Sequence, residues 1–196
     1  YTGTITSPSW ASAANSKFGR ALSFNGTGAS YVSVTGLIGS SPSVTLAGWA
    51  NLSAQNNACG ASPDGSGIVS LGEHIGLRLD DENVLGRAAN GFFYSGSLNS
   101  THNNTNYAGT NWHHFAYVFD NSGSRTQNFY VDGVLLKTNI VNSAIVYTGL
   151  GSNTYIGKHG NGSACYDFNG TIDEVKVYKR ALTTQEIQDE MYVPYH

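Results

Sequence analysis

The stretch FNGTIDEVKVYKRAL, from Phe168 to Leu182, decides how this chain folds. It is rich in β-branched and aromatic residues, and it predicts a strand over Thr171–Tyr178. The next four residues, TTQE at 183–186, form a capping box with Thr183 as the N-cap. Leu182 and Ile187 flank this box at the positions of a hydrophobic staple. The order strand, cap and staple predicts one short helix near Thr184–Tyr192.

Strand candidates separated by Gly, Asn and Asp turns fill the rest of the chain. In Val44–Leu52, VTLAGWANL, the even-numbered residues share one face and Trp49 lies on the other. Asp132-Gly133 between two apolar runs predicts a hairpin turn, because Gly accepts positive φ. Short strands at regular spacing favour a β-sandwich over βαβ units. The polar stretches 54–67 and 98–110 are predicted to be long loops. The other predicted strands are Ala21–Phe24, Tyr31–Val34, Ile68–Leu71, Gly76–Leu79, Val84–Ala88, Phe92–Tyr94, Phe115–Phe119, Phe129–Val131 and Tyr155–Gly157.

Three further segments precede the opening stretch: GRALSFNG at Gly19–Gly26, NWHHFAYVFD at Asn111–Asp120 and NFYVDGVLL at Asn128–Leu136. Together and in this order, the four segments resemble the laminin-G-like, concanavalin A-like jelly-roll family. The resemblance implies an all-β, two-sheet antiparallel sandwich with one short C-terminal helix, as a single domain over residues 1–196. This fold hosts lectins, adhesion domains and some glycosidases, so the fold alone does not fix the function.

Composition limits the function classes. The 196 residues fit one sandwich domain, and the charged fraction of only 12% is usual for an extracellular β-protein. The net charge of −3, without a Lys/Arg cluster, argues against a nucleic-acid partner. No apolar run approaches the roughly 20 residues of a membrane span. Because Tyr1 is not an initiating methionine, we expect a mature form or one domain of a larger multidomain chain. A secreted or cell-surface location is expected.

The two cysteines, Cys59 and Cys165, do not by their number decide between a disulfide and two free thiols. The resemblance adds a reason to pair them. Cys59 follows the strand Val44–Leu52, and Cys165 precedes the strand Thr171–Tyr178. If those strands pair antiparallel, both cysteines reach the same rim, which favours a disulfide over two unrelated loop thiols.

No catalytic motif is found in the sequence. Retaining glycosidases need two carboxyl groups roughly 5–5.5 Å apart. Asp173 and Glu174 are adjacent on a strand and point to opposite faces, and the acidic residues at 80–82 are expected to lie in a solvated turn. The adjacent pair His113 and His114 cannot share a metal. We therefore expect no enzymatic activity, although an enzyme on this fold stays open.

A structural calcium ion is expected from the resemblance alone. In the family, calcium joins the loop after the first core strand to the acidic residue of the I-D-E-V strand. Those positions are Asn25, Gly26 and Asp173 here, with Ser30 as a further ligand. Calcium takes six to eight oxygens. The alternative is a hydrogen-bonded turn without metal.

A ligand site is predicted on the outer face of the strands between Gly76 and Tyr94. Leu77 and Leu79 claim the core, so Arg78 must face outward. Arginine forks suit acidic groups, and an aromatic ring offers a stacking plane for a sugar. The alternative is a solvated sheet face. The predicted ligand-binding residues are Arg78, Arg87, Tyr94, His74 and Asp80.

Three functions stay open at this point. The first is a non-catalytic, lectin-like carbohydrate-binding module of a secreted multidomain protein, such as a polysaccharide-degrading enzyme, with a polysaccharide or glycan, acidic or sulfated, as its partner. The second is a protein-binding adhesion domain of the laminin-G type. The third is a polysaccharide-degrading enzyme on the same fold.

Overall fold

A computed structural model describes residues 2–37, 39–56, 58–59, 65–80, 89–149 and 151–192. The strands run antiparallel to their neighbours throughout. The described strands are β1 (Thr4–Thr6), β2 (Ser9–Trp10), β3 (Leu22–Asn25), β4 (Tyr31–Thr35), β5 (Val44–Leu52), β6 (Gly65–Leu71), β7 (Ile75–Asp80), β8 (Ala89–Tyr94), β9 (Leu98–Asn103), β10 (His113–Asp120), β11 (Thr126–Val131), β12 (Val134–Ile140), β13 (Asn153–Ile156) and β14 (Asn169–Tyr178). The helical elements are two 3₁₀ turns, Ala13–Asn15 and Ala164–Tyr166, and the helix α1, Thr184–Glu190.

The strands form two seven-stranded sheets, which confirms the predicted sandwich. Sheet 1 has the order β1-β4-β13-β6-β7-β8-β9, and sheet 2 has the order β12-β11-β10-β5-β14-β3-β2. β5 and β14 pair antiparallel at the centre of sheet 2, which is the condition on which the expected cysteine pairing rested. None of the described helices is long and apolar enough to span a membrane.

The core lies between the inner faces of the two sheets. Sheet 2 contributes Leu46 from β5 and Phe115 and Phe119 from β10, and sheet 1 contributes Leu77 and Phe93. All five side chains are almost fully buried. Burying one such side chain stabilises the folded state by roughly 1.5–3 kcal/mol. The core therefore fixes which residues of β7 and β8 face outward.

The helix α1 packs on the outer face of sheet 2. Thr183 accepts a hydrogen bond from the Glu186 N–H, and the Glu186 carboxylate accepts one from the Thr183 N–H, so the predicted capping box is present. Leu182 and Ile187 lie together in a small apolar cluster on this face, as the predicted staple requires. Under the helix, His114 meets Trp49 edge-on at 5.5 Å. This arrangement buries a histidine beside Trp49, whose Nε1 donates to the Met191 carbonyl after α1.

The hairpin turn is predicted correctly, whereas both predicted long loops are partly wrong; β6 begins at Gly65, within the predicted loop 54–67. Asp132 and Gly133 both have positive φ and close the hairpin between β11 and β12, as predicted. The predicted loop 98–110 is wrong for its first part, because Leu98–Asn103 forms β9 and pairs with β8. β9 is an edge strand with many polar residues, so its sequence carries no apolar alternation. The predicted strand Val84–Ala88 lies outside the described residues.

The predicted disulfide is present: Cys59 and Cys165 are bonded, with their Cα atoms 5.3 Å apart. The bond holds down the segment between β13 and β14, residues 157–168, which we call the covering loop. Both ends of this loop meet, since the Phe168 N–H donates to the Gly157 carbonyl at 2.9 Å. Asn56 donates from Nδ2 to the carbonyls of Ala164 and Asp167. The covering loop is therefore anchored at its base and near its C-terminal end.

Candidate functional site

The outer face of sheet 1 carries Arg78 and Tyr94, two of the five residues that the sequence placed there. Arg78 pairs with Asn90 across β7 and β8, and Gly76 pairs with Phe92. Because Leu77 is in the core, its neighbours Gly76 and Arg78 point outward. A Cβ at Gly76 would lie 2.4 Å from the Phe92 ring, so the ring rests directly on the glycine. Gly76, Arg78 and Phe92 form the floor of the site.

The covering loop lies flat on this face, and two glycines permit its close approach. A Cβ added at Gly160 would lie 1.5 Å from the carbonyl oxygen of Gly72. A Cβ added at Gly67 would lie 2.9 Å from the Lys158 backbone. Any larger residue at either position would lift the loop from the sheet. The close contact brings His159 and Tyr166 over β7 and β8.

Arginine and aromatic side chains stack where the covering loop meets the sheet. The Arg78 guanidinium carbon lies 4.8 Å from the Phe92 ring centre and 4.6 Å from that of Tyr166. The His159 ring is nearly parallel to the Phe92 ring, with centres 5.4 Å apart, and it lies 4.7 Å from Tyr166. Cation–π contacts of a desolvated arginine are worth about 2 kcal/mol. The stack therefore fixes the position of Tyr166.

Burial lowers the proton affinity of the His159 ring in this stack. Desolvation, helped by the nearby charge of Arg78, lowers the pKa of His159 to about 4, while a hydrogen bond with Asn161 opposes the shift. His159 is therefore neutral near pH 7. A neutral ring stacks on Phe92 beside the guanidinium without adding a second positive charge.

A cleft opens beside the stack, and its rim is accessible to a ligand. Tyr94 and Tyr166 are partly exposed, and the Leu98 side chain is 49% exposed. Asn161 and Glu73 also line the cleft, and Asn161 donates from Nδ2 to Glu73 Oε1. The rim thus combines two aromatic rings and an aliphatic side chain with an amide and a carboxylate. The described residues that line the cleft are Glu73, Arg78, Phe92, Tyr94, Leu98, His159, Asn161 and Tyr166.

The structure brings together only some of the predicted ligand residues. Arg78 and Tyr94 line the same cleft. The expectation of an exposed Arg78 is wrong, because the covering loop leaves it only 3% exposed. Asp80 ends β7, but its side chain lies outside the described part of the structure, and so does the whole of Arg87.

His74 lies in a different cleft from Arg78. Its ring nitrogens are 2.7 Å and 2.8 Å from the carbonyl oxygens of Val146 and Gly151. The ring also lies beside Tyr147, with the ring centres 5.4 Å apart. These contacts tie neighbouring loops together, so His74 is occupied by the protein itself.

The predicted calcium ligands are not brought together as one set. Asn25 pairs with Asn169 at the start of β14, whereas Asp173 pairs with Trp49 farther along that strand. Four residues of a strand span roughly 13 Å. Asp173 accepts hydrogen bonds from the N–H groups of Lys17, Phe18 and Glu174, and Asn25 Oδ1 accepts two from Thr27. Gly26 donates its N–H to Phe168, and Ser30 is buried. These four residues do not fit a single calcium ion.

Comparison with known proteins now identifies the family. The family model Laminin_G_3, described as the concanavalin A-like lectin/glucanases superfamily, matches residues 25–188. The chain belongs to this family. A comparison of this chain with curated proteins found no match.

Solved structures share the Laminin_G_3 fold at low sequence identity. Domain 4 of AbnA, a GH43 extracellular arabinanase from Geobacillus stearothermophilus solved in complex with arabinotriose, is 18% identical, with a TM-score of 0.69 over 96% of this chain and 87% of that one. The binding domain of Paraclostridial Mosquitocidal Protein 1 is 12% identical, with a TM-score of 0.69 over 96% of this chain and 46% of that one.

A third similar structure comes from botulinum neurotoxin type C, whose cell entry depends upon interaction with two ganglioside molecules. It is 12% identical, with a TM-score of 0.63 over 96% of this chain and 45% of that one. This chain therefore spans less than half of the mosquitocidal-protein chain and of the neurotoxin chain. At these identities the similarity establishes the fold alone.

Sequence reasoning missed several residues of the cleft. Phe92 was assigned to a strand without a role, and Glu73, His159 and Asn161 were not selected. From the sequence, Tyr166 is one of three tyrosines near loops that could stack on a sugar, with Tyr94 and Tyr107, but it was not included in the predicted site. It follows Cys165, in a loop that the predicted disulfide would hold to the sandwich. The contact between His159 and Phe92 had no local signal, because it depends on where the covering loop crosses the sheet.

Proposed function

We propose that this domain is a non-catalytic carbohydrate-binding module and that its ligand occupies the cleft at Tyr94, Leu98 and Tyr166. The observation that carries the proposal is the rigid arginine–aromatic stack beside a rim of exposed rings and hydrogen-bonding groups. Sugars present apolar C–H faces and hydroxyl groups. Such a ligand needs both a flat apolar surface and a few fixed polar partners.

The rim supplies both kinds of contact. The partly exposed rings of Tyr94 and Tyr166 offer surfaces for stacking, and Leu98 extends the apolar wall. Asn161 and Glu73 already hold each other by a hydrogen bond, so their remaining polar positions are fixed in space. A site that is fixed before binding loses less conformational entropy when the ligand binds.

The ligand we propose is a polysaccharide or glycan. Arg78 places a positive charge under the cleft, which favours an acidic or sulfated sugar. Glu73 on the rim opposes that preference, so a comparison of neutral and acidic glycans measures which charge dominates. The arabinotriose complex of the AbnA domain and the ganglioside interaction of the type C neurotoxin support a carbohydrate as the ligand class.

The carboxylates of the cleft favour binding of a glycan without its cleavage. Glu73 is the one carboxylate among the described residues of the cleft. Glycoside hydrolysis by the usual mechanism needs two carboxyl groups flanking the bond. A second carboxylate in the same cleft, together with hydrolysis of a bound glycan, would instead support the enzyme hypothesis.

We further propose a secreted or cell-surface setting, with this domain as one module of a larger protein. The disulfide supports this, because such bonds persist mainly in oxidising compartments. The extracellular arabinanase that contains the similar AbnA domain supports the same setting.

A glycan array followed by calorimetry tests the proposed function. The array should return one glycan class. Tyr94→Ala and Tyr166→Ala should each weaken its binding about tenfold, by analogy with a nucleobase stacked on an aromatic ring, for which alanine substitution costs about 1–3 kcal/mol. Tyr192→Ala is the matched control, because Tyr192 is 74% exposed and lies beyond α1. Full binding by both cleft variants would refute the proposed site.

A protein-binding adhesion domain is the second candidate, and one observation favours it. β12 is an edge strand of sheet 2, and its apolar residues Val134, Leu135, Leu136 and Ile140 are 57%, 43%, 42% and 73% exposed. Edge strands can pair with a strand of a partner. Loss of a protein ligand on Leu136→Asp, with Tyr166→Ala unaffected, would establish this function in place of glycan binding.

A further inference from the structure

The space between the two sheets is incompletely filled at one side of the sandwich. Toward β8 and β10 it is filled by aromatic rings, such as those of Phe93 and Phe119, which are fully buried with centres 4.6 Å apart. Toward β13 and β14 the inward side chains are smaller and β-branched, and Ile156, Val175 and Val177 stay partly exposed. Two clefts of about 230 and 200 Å³ open there, and Ile156 and Val175 line both. We call the two clefts together the edge groove.

The two ends of the edge groove differ in chemistry. Among the described lining residues, charged groups occur only in the second cleft, which contains Arg20, Asp173 and Glu174. There the Arg20 guanidinium carbon lies 4.9 Å from the ring centre of Trp10, whose side chain is 52% exposed. The groove thus runs from an open, charged end at Trp10 to an apolar end at Thr154. The first cleft, at the apolar end, is lined by Val34, Leu37, Val69, Thr154, Ile156, Val175 and Val177.

Thr154 places one hydroxyl group at the apolar end. It pairs with Val34 on β4 and Leu71 on β6, so its side chain shares the inner face of sheet 1 with theirs. The residue is only 1% exposed, and its Oγ1 has no hydrogen-bond partner among the described residues. A buried hydroxyl without a partner is unfavourable. An ordered water needs several polar partners, which the aliphatic walls of this cleft do not offer.

An apolar space with a single unsatisfied hydroxyl fits a ligand that brings its own polar group. Apolar cavities of about 150 Å³ already bind a molecule as large as benzene. A charged head group beside Thr154 would be buried without a counter-ion, whereas an alcohol or carbonyl group makes a hydrogen bond with the hydroxyl. Two clefts that meet at Ile156 and Val175 suit a chain better than a single ring.

We propose that the edge groove binds an uncharged molecule with an alkyl chain and one hydroxyl or carbonyl head group, and that this head group pairs with Thr154. The chain lies between Ile156 of sheet 1 and Val175 of sheet 2 and points toward Trp10. The edge groove shares no described lining residue with the cleft proposed for carbohydrate, which lies on the outer face of sheet 1. The two proposals can therefore fail independently.

Calorimetry with 1-hexanol, 1-octanol and 1-decanol tests the edge groove. Affinity should rise about fourfold with each methylene of the chain, because each methylene is removed from water. Octanoate and octylammonium have the same chain length with a charged head group, and they should bind at least about tenfold more weakly than 1-octanol. Octanoate binding as tight as that of 1-octanol would place the head group at Arg20 and overturn the assignment to Thr154.

Thr154→Val removes the hydroxyl and nearly keeps the volume of the side chain. It should weaken 1-octanol binding about tenfold, because the head group loses its partner. The melting temperature of the ligand-free variant should stay the same or rise, because no hydrogen bond of the folded protein is lost. A lower melting temperature with unchanged 1-octanol binding would show that the hydroxyl has a structural role instead.

Val34→Phe fills the apolar end of the groove, since Val34 and Thr154 are paired across β4 and β13. It should abolish binding of all three alcohols, and circular dichroism checks that the variant is folded. Val134→Phe is the matched control, because Val134 is 57% exposed on β12, and it should bind as the parent does. A parent protein that binds none of the alcohols, or a folded Val34→Phe variant that binds them normally, would overturn the proposal.

Discussion

His159 stacks on Phe92, with ring centres 5.4 Å apart and ring planes only 11° from parallel. The two residues come from the covering loop and from β8, so this contact joins the loop to the sheet. The buried ring is neutral because its pKa is about 4. The contact therefore links the integrity of the proposed site to pH.

Acid should destabilise the protein between pH 6.5 and about 4. Burial lowers the pKa of both His159 and His114 from 6.5 to about 4, with smaller contributions from Arg78 and Lys176 respectively. The unfolded chain binds these protons near pH 6.5, whereas the folded chain does not until about pH 4. Stability is therefore full above pH 6.5 and falls as the pH decreases, by about 3 kcal/mol for each histidine.

Urea unfolding measured at several pH values checks this dependence. His159→Phe keeps the stacked ring and removes one titrating group, so its stability should fall less steeply over the same range. An identical pH dependence in the parent and in His159→Phe would show that this histidine is not the source of the effect.

Gly160→Ala should detach the covering loop. The added methyl group would lie 1.5 Å from the Gly72 carbonyl oxygen, which no side-chain rotation can relieve. We expect loss of glycan binding and a lower melting temperature. Gly162→Ala is the control, because its Cβ has space and its cost is limited to the left-handed φ of 80°, about 1–2 kcal/mol. Equal effects of the two variants would contradict the close-contact explanation.

Removal of the disulfide should destabilise the fold strongly. The bond closes a loop with a sequence separation of 106 residues, which the chain-entropy estimate values at about 4–5 kcal/mol. The double variant Cys59→Ser, Cys165→Ser should melt well below the parent. Thiol titration of the unreduced, denatured parent should detect no free cysteine, and two titratable thiols would disprove the bond.

Arg78→Ala should lower both stability and glycan affinity. The guanidinium is buried between Phe92 and Tyr166, so its removal leaves a gap and releases Tyr166. We expect a loss of about 2 kcal/mol in the free energy of unfolding, from the cation–π contacts alone. Arg78→Lys keeps the charge but not the planar stacking and should be intermediate.

Arg180→Ala is the matched control, because Arg180 is exposed and pairs with Glu186 in the first turn of α1. Calorimetry and thermal melting check both quantities. Unchanged binding by Arg78→Ala, or an equal loss with Arg180→Ala, would contradict the role of the stack.

Features that depend only on residues close together in the sequence could be predicted. The Thr183 cap and the Asp132-Gly133 turn follow from local hydrogen bonding and backbone preference, and both are present. The even-numbered residues of Val44–Leu52 share one face, as the alternation predicted, and Val44, Leu46, Ala50 and Leu52 lie in the core. β9 was missed because its polar residues show no alternation of apolar and polar side chains, which is the pattern that identifies a strand.

Features that depend on strand register and loop path could not be predicted. The sequence placed Asn25 beside Asp173, but antiparallel register sets Asn25 against Asn169 instead. The sequence also predicted an exposed Arg78, because nothing near Arg78 in the sequence shows that residues 157–168 fold over it. Pairings of this kind are decided by the whole sandwich, in which each strand has several plausible neighbours.

One hydrogen bond, from the Phe168 N–H to the Gly157 carbonyl, joins the first and last residues of the covering loop. This bond and the disulfide at Cys165 hold the two ends of the loop, and neither involves the side chains of residues 161–164. Segments with joined ends can be exchanged without moving the strands they connect. Randomising residues 161–164, while keeping Gly160 and Cys165, would turn this domain into a display scaffold whose recognition properties can be selected separately from its folding.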